Sequence, residues 1–230
     1  MERAPQASHI VPGSTPIVSF GNLYSANTVT IGINPSVDEF MTRHKPRKLL
    51  ASADKRLIDY ETLGLANGSE INLDHAERIL GGCFDYFNRN PYSWFNRMET
   101  YLVNPSGSSY FDGTAAHLDL VQWATDPVWQ NITDKQIAKN LIDRDKKFLE
   151  KLLEGANYEK ILLNGSTVVE TVRSLGLFDL EVVGKIQYGG NSSSLLQGIF
   201  GKTVVKATTL NIPSARGLEG PQKIADWLAN

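Results

Sequence analysis

The chain has 230 residues, 41% of them hydrophobic, enough for one sizeable core. Its 23 Lys and Arg against 25 Asp and Glu give a formal charge of −2, which excludes a global field drawing it onto nucleic acid or an anionic membrane and confines such a partner to a local patch. The single cysteine, Cys83, excludes an internal disulfide, a Cys-rich zinc site and a cysteine-ligated iron–sulfur cluster, and no segment approaches the ~20 apolar residues of a membrane span.

Residues 1–15 hold two prolines and small polar residues without periodicity, the pattern of a flexible N-terminal arm. Glu2 and the lack of an apolar run argue against a signal peptide, so a reducing cytoplasm is the expected location. From Pro16 onward a single domain, 16–230, is expected. Ile17 to Phe20 and Thr28 to Ile33 are short and rich in β-branched residues, two strands joined by a connection of hairpin length. Asp74 to Asn88 places Ala76, Ile79, Leu80, Cys83, Phe84 and Phe87 on one helical face, with Asn72 as N-cap. Trp94, Phe95, Met98, Tyr101 and Leu102 repeat that spacing after Pro91, so a second helix follows and ends at Asn104-Pro105-Ser106-Gly107.

Ala115 to Trp123 alternates less and is more continuously apolar, as a buried parallel strand would be. A long helix opens at Thr133 or Asp134 and stops at Gly155. Lys160 to Asn164, Gly165 and Ser166 to Leu175 form a strand, a turn and a helix. Leu180 to Ile186 and Thr203 to Leu210 complete the strands, Tyr188 to Ser194 reads as a surface loop, and Pro221 to Leu228 forms a terminal helix. Helices separating apolar strands predict an α/β fold, a three-layer α/β/α sandwich around a mainly parallel sheet.

Two segments stand out. Thr30-Ile31-Gly32-Ile33-Asn34-Pro35-Ser36 and Thr208-Thr209-Leu210-Asn211-Ile212-Pro213-Ser214-Ala215-Arg216 each put a Pro-Ser step after an apolar run, where open α/β sheets keep their sites. Gly32-Ile33-Asn34-Pro35-Ser36 resembles the first motif of the uracil-DNA glycosylase superfamily, in the Gly-Ile-Asn-Pro form of its mismatch-specific branch. Ile212-Pro213-Ser214 resembles the second motif, in which His or Asn usually precedes Pro-Ser. Asn90-Pro91-Tyr92-Ser93-Trp94-Phe95 is similar to the segment opening a helix in that branch, and the run from His117 to Thr125 to its Thr-Asn-Leu-Val strand end. The likeness runs over roughly residues 16–230.

The resemblance implies a cofactor-free, metal-free hydrolase that cleaves the N-glycosidic bond of a damaged or deaminated base flipped out of DNA, as in base-excision repair. It implies that Asn34 orients the attacking water through its side-chain carbonyl, flanked by Gly32, Ile33, Pro35 and Ser36. As an amide Asn34 is no strong base, so a slow enzyme is expected. On the residues alone, Asn34 equally suits a turn cap.

Asp119 occupies the position where the family reads uracil with an Asn. An ionised Asp only accepts hydrogen bonds, which suits hypoxanthine, xanthine or guanine at N1–H, whereas a protonated Asp would match cytosine; a strand-end cap or an Arg pair is the structural alternative. Ile212 stands where the family places the group that stabilises the leaving base, with Asn211 one step away facing the opposite side of a regular strand and His117 as the substitute. Phe40 and Tyr92 are the candidates for stacking on the base, Ser214 for a DNA phosphate, Pro213 for the turn and Arg216 for the groove. Arg43 to Lys48, with Lys55 and Arg56, supply the local basic patch for DNA. Two other readings stay open: an inactive module that binds a nucleotide or a protein, and an N-glycosidase acting on free nucleosides or nucleotides. Four scattered histidines offer no metal-site spacing, and neither a Gly-x-Ser-x-Gly elbow nor a phosphate-binding P-loop is present.

Overall fold

Short, nearly continuous apolar runs such as Thr28–Gly32 and Lys160–Asn164 suit strands covered on both faces, and both become neighbours in one six-stranded sheet. A computed structural model describes residues 9–230. The strands are β1 (Thr28–Gly32), β2 (Ala115–Asp119), β3 (Lys160–Asn164), β4 (Leu180–Tyr188), β5 (Asn191–Phe200) and β6 (Thr203–Thr208). Their order is β2-β1-β3-β6-β5-β4. β3 pairs in parallel with β1 and with β6, in the registers Val29↔Ile161 and Leu162↔Lys206. β6, β5 and β4 pair antiparallel. The helices are α1 (Leu73–Phe84), α2 (Trp94–Met98), α3 (Lys135–Glu154), α4 (Ser166–Ser174) and α5 (Glu219–Leu228).

The expected α/β architecture with helices flanking a central sheet is therefore present, and β1, β3 and β6 form the parallel part. Because they are parallel, their C-terminal ends share one edge of the sheet. From β1 the chain goes on to β2 on one side, and from β3 it crosses to β4 at the far edge of the other side and returns through β5 to β6. This reversal makes the β1/β3 boundary a topological switch point, the place where such sheets bind ligands.

Two departures have local causes. Tyr188 to Ser194, expected as a loop, is instead the end of β4, a two-residue turn and the start of β5. Gly189 and Gly190 both have positive φ, 48° and 79°, and join the closing pair Tyr188↔Asn191, as a tight hairpin requires. Ile17 to Phe20, expected as a strand, is buried but belongs to none of the six; Ile17 N donates singly to Gln122 O at 2.8 Å.

Backbone contacts sort the chain into two compact units, interleaved in sequence. The first unit comprises the described part of residues 1–21 with 33–92 and 119–149. Val121, Trp123 and Leu141 form a core cluster there, with Ile10, Trp129, Ile137 and Ile142 against it. Of the expected flexible arm, residues 1–8 lie outside the described residues. Residues 10–15 are packed instead: Ile10 bridges Thr125, and Val11, Ser14 and Thr15 are buried, because Val11 N finds a backbone acceptor in Ala124 O at 2.9 Å. α1 starts as its sequence predicts, with the Asn72 side chain accepting from His75 N at 2.9 Å in a capping box.

The second unit comprises 22–32, 93–118 and 150–230 and holds the sheet up to Leu118 of β2. α2 runs on through a π turn at Glu99–Val103 and a 3-10 turn at Asn104–Ser106, ending at Gly107 in the left-handed region. α4 packs on β3 and β6, and α5 on β4 and the π turn. Among the described residues no helix is long and apolar enough to cross a membrane.

Candidate functional site

In the first unit, the turn after β1 is fixed by backbone and amide bonds. Ile33 O accepts from Val121 N at 2.9 Å. The Asn34 side-chain NH2 donates to Pro35 O at 3.0 Å, Trp123 O at 3.3 Å and Thr125 Oγ1 at 3.1 Å. Three acceptors on one nitrogen fix the amide's direction, and among the described residues no donor reaches its Oδ1. Ser36 caps the 3-10 turn Val37–Glu39, its Oγ accepting from Asp38 N at 3.2 Å. Pro35 and Phe40 are buried; at 2% exposure Phe40 belongs to the core and offers no ring face for stacking.

Two carboxyl groups of this unit are buried, and the charge of one acts on the other. Asp119, the last residue of β2, is 9% exposed, and Glu39 is 2% exposed. Burial pushes the Glu39 carboxyl up to about 8; the Tyr86 hydrogen bond and Arg56 pull it down, and the charges of Asp119 and Asp38 push it up. Glu39 therefore keeps its proton over most of the neutral range. Tyr86 Oη lies 2.9 and 3.0 Å from the two Glu39 oxygens and accepts from Tyr92 N at 2.8 Å. Sequence reasoning missed both Glu39 and Tyr86. Asp38 and Glu39 are adjacent acids, and nothing in the sequence says which faces inward.

Tyr92 is half-buried. Its hydroxyl donates to Asp38 Oδ2 at 3.3 Å, and its own pKa is raised by burial and by Asp38. The guanidinium carbons of Arg43 and Arg56 lie over its ring, 5.0 and 5.9 Å from the centroid. Asp38 also accepts from Arg43 Nε at 3.1 Å and Arg47 Nη1 at 2.7 Å. The basic residues expected as one patch are thus divided. Lys55 does not join the arginines; its ammonium donates to Asp59 at 2.9 Å, Glu61 at 2.7 Å and Thr62 at 3.1 Å.

The second unit holds Gly32, His117, Asn211, Pro213, Ser214 and Arg216. His117 is 3% exposed; its Nδ1 bonds Thr30 Oγ1 at 2.7 Å, and Trp94 and Phe95 meet its ring edge-on at 5.5 and 5.3 Å. It is a satisfied core histidine. The turn after β6 is held from two sides. Asn164 Oδ1, at the end of β3, accepts from Ile212 N at 2.9 Å. Arg97 of α2 donates to Ala215 O at 2.9 Å and Gly217 O at 3.0 Å. Gly165 is called for by its backbone alone: its φ is +96°, where side-chain-bearing residues rarely go, while a Cβ there would make only ordinary contact, 3.5 Å from Asn211 Cβ. Ile212 is fully buried, while Asn211, Ser214 and Arg216 are exposed. Neither Asn164 nor Arg97 carries a motif that marks it in advance.

No protein-family model matches the chain, and no curated protein matches it in sequence. In chemical terms, the first unit contains an amide carbonyl of fixed direction, a buried carboxyl that holds a proton near neutrality, a second buried carboxyl group and an aromatic ring flanked by arginines. Groups of these kinds can position a water, accept from a base edge and meet an anionic ligand.

Proposed function

We propose that the protein hydrolyses the N-glycosidic bond of a flipped, damaged or deaminated base in DNA. The observation that carries this reading is the fixed direction of Asn34: its nitrogen is consumed by three acceptors, so its Oδ1 is the acceptor left for a water. The water oxygen adds to C1′ as the C–N bond breaks, and the bonding electron pair leaves with the base. One water proton ends on the base and the hydroxyl remains on the sugar, so no cofactor is consumed. Asn34 only holds the water, since an amide is no strong base. Asp119 accepts from the N1–H edge of a purine, and Tyr92 offers the base its ring.

The test is release of base from labelled oligonucleotides carrying uracil, hypoxanthine, xanthine or a G·T mismatch, with Asn34→Ala as control. The expected result is release of hypoxanthine or xanthine ahead of uracil, lowered about 100-fold in the variant. No release from single or double strands at enzyme excess overturns the reading. One observation favours a second reading, a module that binds nucleotide without cleaving it: Ile212 is fully buried at the position where the family places its leaving-base group. Binding without release would establish that alternative.

A further inference from the structure

The loop after the 3-10 turn carries more positive charge than its own carboxylate neutralises, and the hydrolysis proposed above makes no use of it. Asp38 anchors three guanidinium groups: it takes Arg43 and Arg47 on its carboxylate, and its backbone carbonyl accepts from Arg56 Nη1 at 2.9 Å. One carboxylate, that of Asp38, thus meets two guanidinium groups, with a third on its backbone. Glu39, buried and largely protonated near neutrality, offsets little. Arg56 Nε is buried and has no hydrogen-bond partner among the described residues, a donor that an incoming oxygen would satisfy.

The loop is also held in shape. Thr42 N donates to Lys48 O at 2.8 Å, Lys48 N donates to Thr42 Oγ1 at 3.1 Å, and Leu50 N donates to Phe40 O at 2.8 Å. Met41 bridges Leu49. The arginines are thus preorganised, and with Asp38 occupying only part of each fork they keep N–H groups of the geometry that planar guanidinium offers to phosphate. The Tyr92 ring also holds Arg43 and Arg56 by cation–π contact, their guanidinium carbons 5.0 and 5.9 Å from its centroid.

We propose that Arg43, Arg47 and Arg56, held on Asp38 and Tyr92, form a subsite for the phosphate group of a nucleotide. It rests on the reading above only in taking the ligand to be a nucleotide. The shared chemistry is an anionic phosphate, either a backbone phosphodiester of DNA or the terminal phosphomonoester of a free nucleotide.

Binding of the full chain to a labelled oligonucleotide with a central tetrahydrofuran abasic site, followed by anisotropy across a salt series, tests this without any base to release. Arg43→Gln changes a side chain that is 60% exposed, so its fold is retained. It is expected to weaken binding about 10-fold and to flatten the log–log salt dependence by roughly 0.7–1. Arg47→Gln is expected to do the same, while Lys55→Gln, which alters a lysine tied to Asp59 and Glu61, leaves both quantities unchanged. Competition by a nucleoside 5′-monophosphate, but not by the nucleoside, assigns the subsite to a terminal phosphate. Binding that neither displaces assigns it to the backbone diester. Folded Arg43→Gln and Arg47→Gln proteins with parental affinity and salt slope overturn the proposal, as does a parent that binds neither oligonucleotide nor monophosphate. Asn34→Ala, expected to lose base release while keeping this binding, separates failure of the subsite from failure of the hydrolase reading.

Discussion

Replacing Glu39 with Gln should remove a pH dependence of stability that the parent carries. Below pH 4.5, the ordinary value for Glu, folded and unfolded chains both hold this proton. Between 4.5 and about 8 the unfolded chain releases it while the native state, where the group is buried, retains it. The unfolded state then binds fewer protons, so stability falls as pH rises, and the loss is complete above about 8. At about 1.4 kcal/mol per pH unit, the whole window amounts to roughly 5 kcal/mol, the size of a small protein's entire stability. Gln is uncharged and close in shape, and its carbonyl oxygen still accepts from the Tyr86 hydroxyl. Glu39→Gln should therefore lie within about 1 kcal/mol of the parent near pH 5 and gain on it by about 1.4 kcal/mol per unit up to about pH 8. Urea unfolding followed by fluorescence of the four tryptophans measures the difference directly. Parallel stability curves for parent and variant from about pH 5 to about pH 8 would refute the reasoning, because they would mean that Glu39 titrates alike in both states.

Two further outcomes follow from the turns. Asn34→Asp should destabilise by about 1–3 kcal/mol, and more than Asn34→Ala, because it sets a carboxylate oxygen against the carbonyls of Pro35 and Trp123 where an NH2 now donates; equal thermal stability of parent and Asn34→Asp would mean that the amide points the other way. Asn164→Ala should cost about 1–3 kcal/mol by stranding the buried Ile212 N–H, and protease cleavage within 211–217 should rise; unchanged cleavage would show the turn to be held by Arg97 alone.

The parts legible in the sequence are those whose environment imposes a simple pattern. β1 and β3 are buried along nearly their whole length, so their residues form short β-branched or aliphatic runs, and α1 shows its apolar face at three- and four-residue steps with Asn72 in front. β5 gave no such signal: it opens with Asn191 and three serines, and its place in the sheet depends on a Gly-Gly turn and a register set by β6. Ile17 to Phe20 misled for the converse reason, since a short β-branched run looks alike in a strand and in any buried extended segment. Within the candidate site, Asn34 was legible because Gly-Ile-Asn-Pro-Ser combines a strand end with a turn. Glu39 was not, because its burial depends on how a single 3-10 turn is rotated. The basic residues read as one stretch because sequence shows charge but not partners; Asp59 and Glu61 remove Lys55, and Asp38 gathers the arginines.

The two Pro-Ser turns are alike in sequence and differ in what their amides are left to do. Each is secured by an asparagine, but from opposite ends of the group. Asn164 spends its oxygen on Ile212 N, and that oxygen is the end an active-site water would need. Asn34 spends its nitrogen and keeps its oxygen. The amide of the turn after β6 is therefore committed to holding that turn, while the turn after β1 retains an acceptor whose direction is set before any ligand arrives. Preorganisation of this kind lowers a barrier only if the acceptor sits beside groups that recognise the rest of the substrate. Asp119 and the arginine-flanked Tyr92, in the same unit as Asn34, are of the types that do so. Chemistry in this protein should accordingly fail on loss of the Asn34 carbonyl, and affinity on loss of the arginines, as two separable defects.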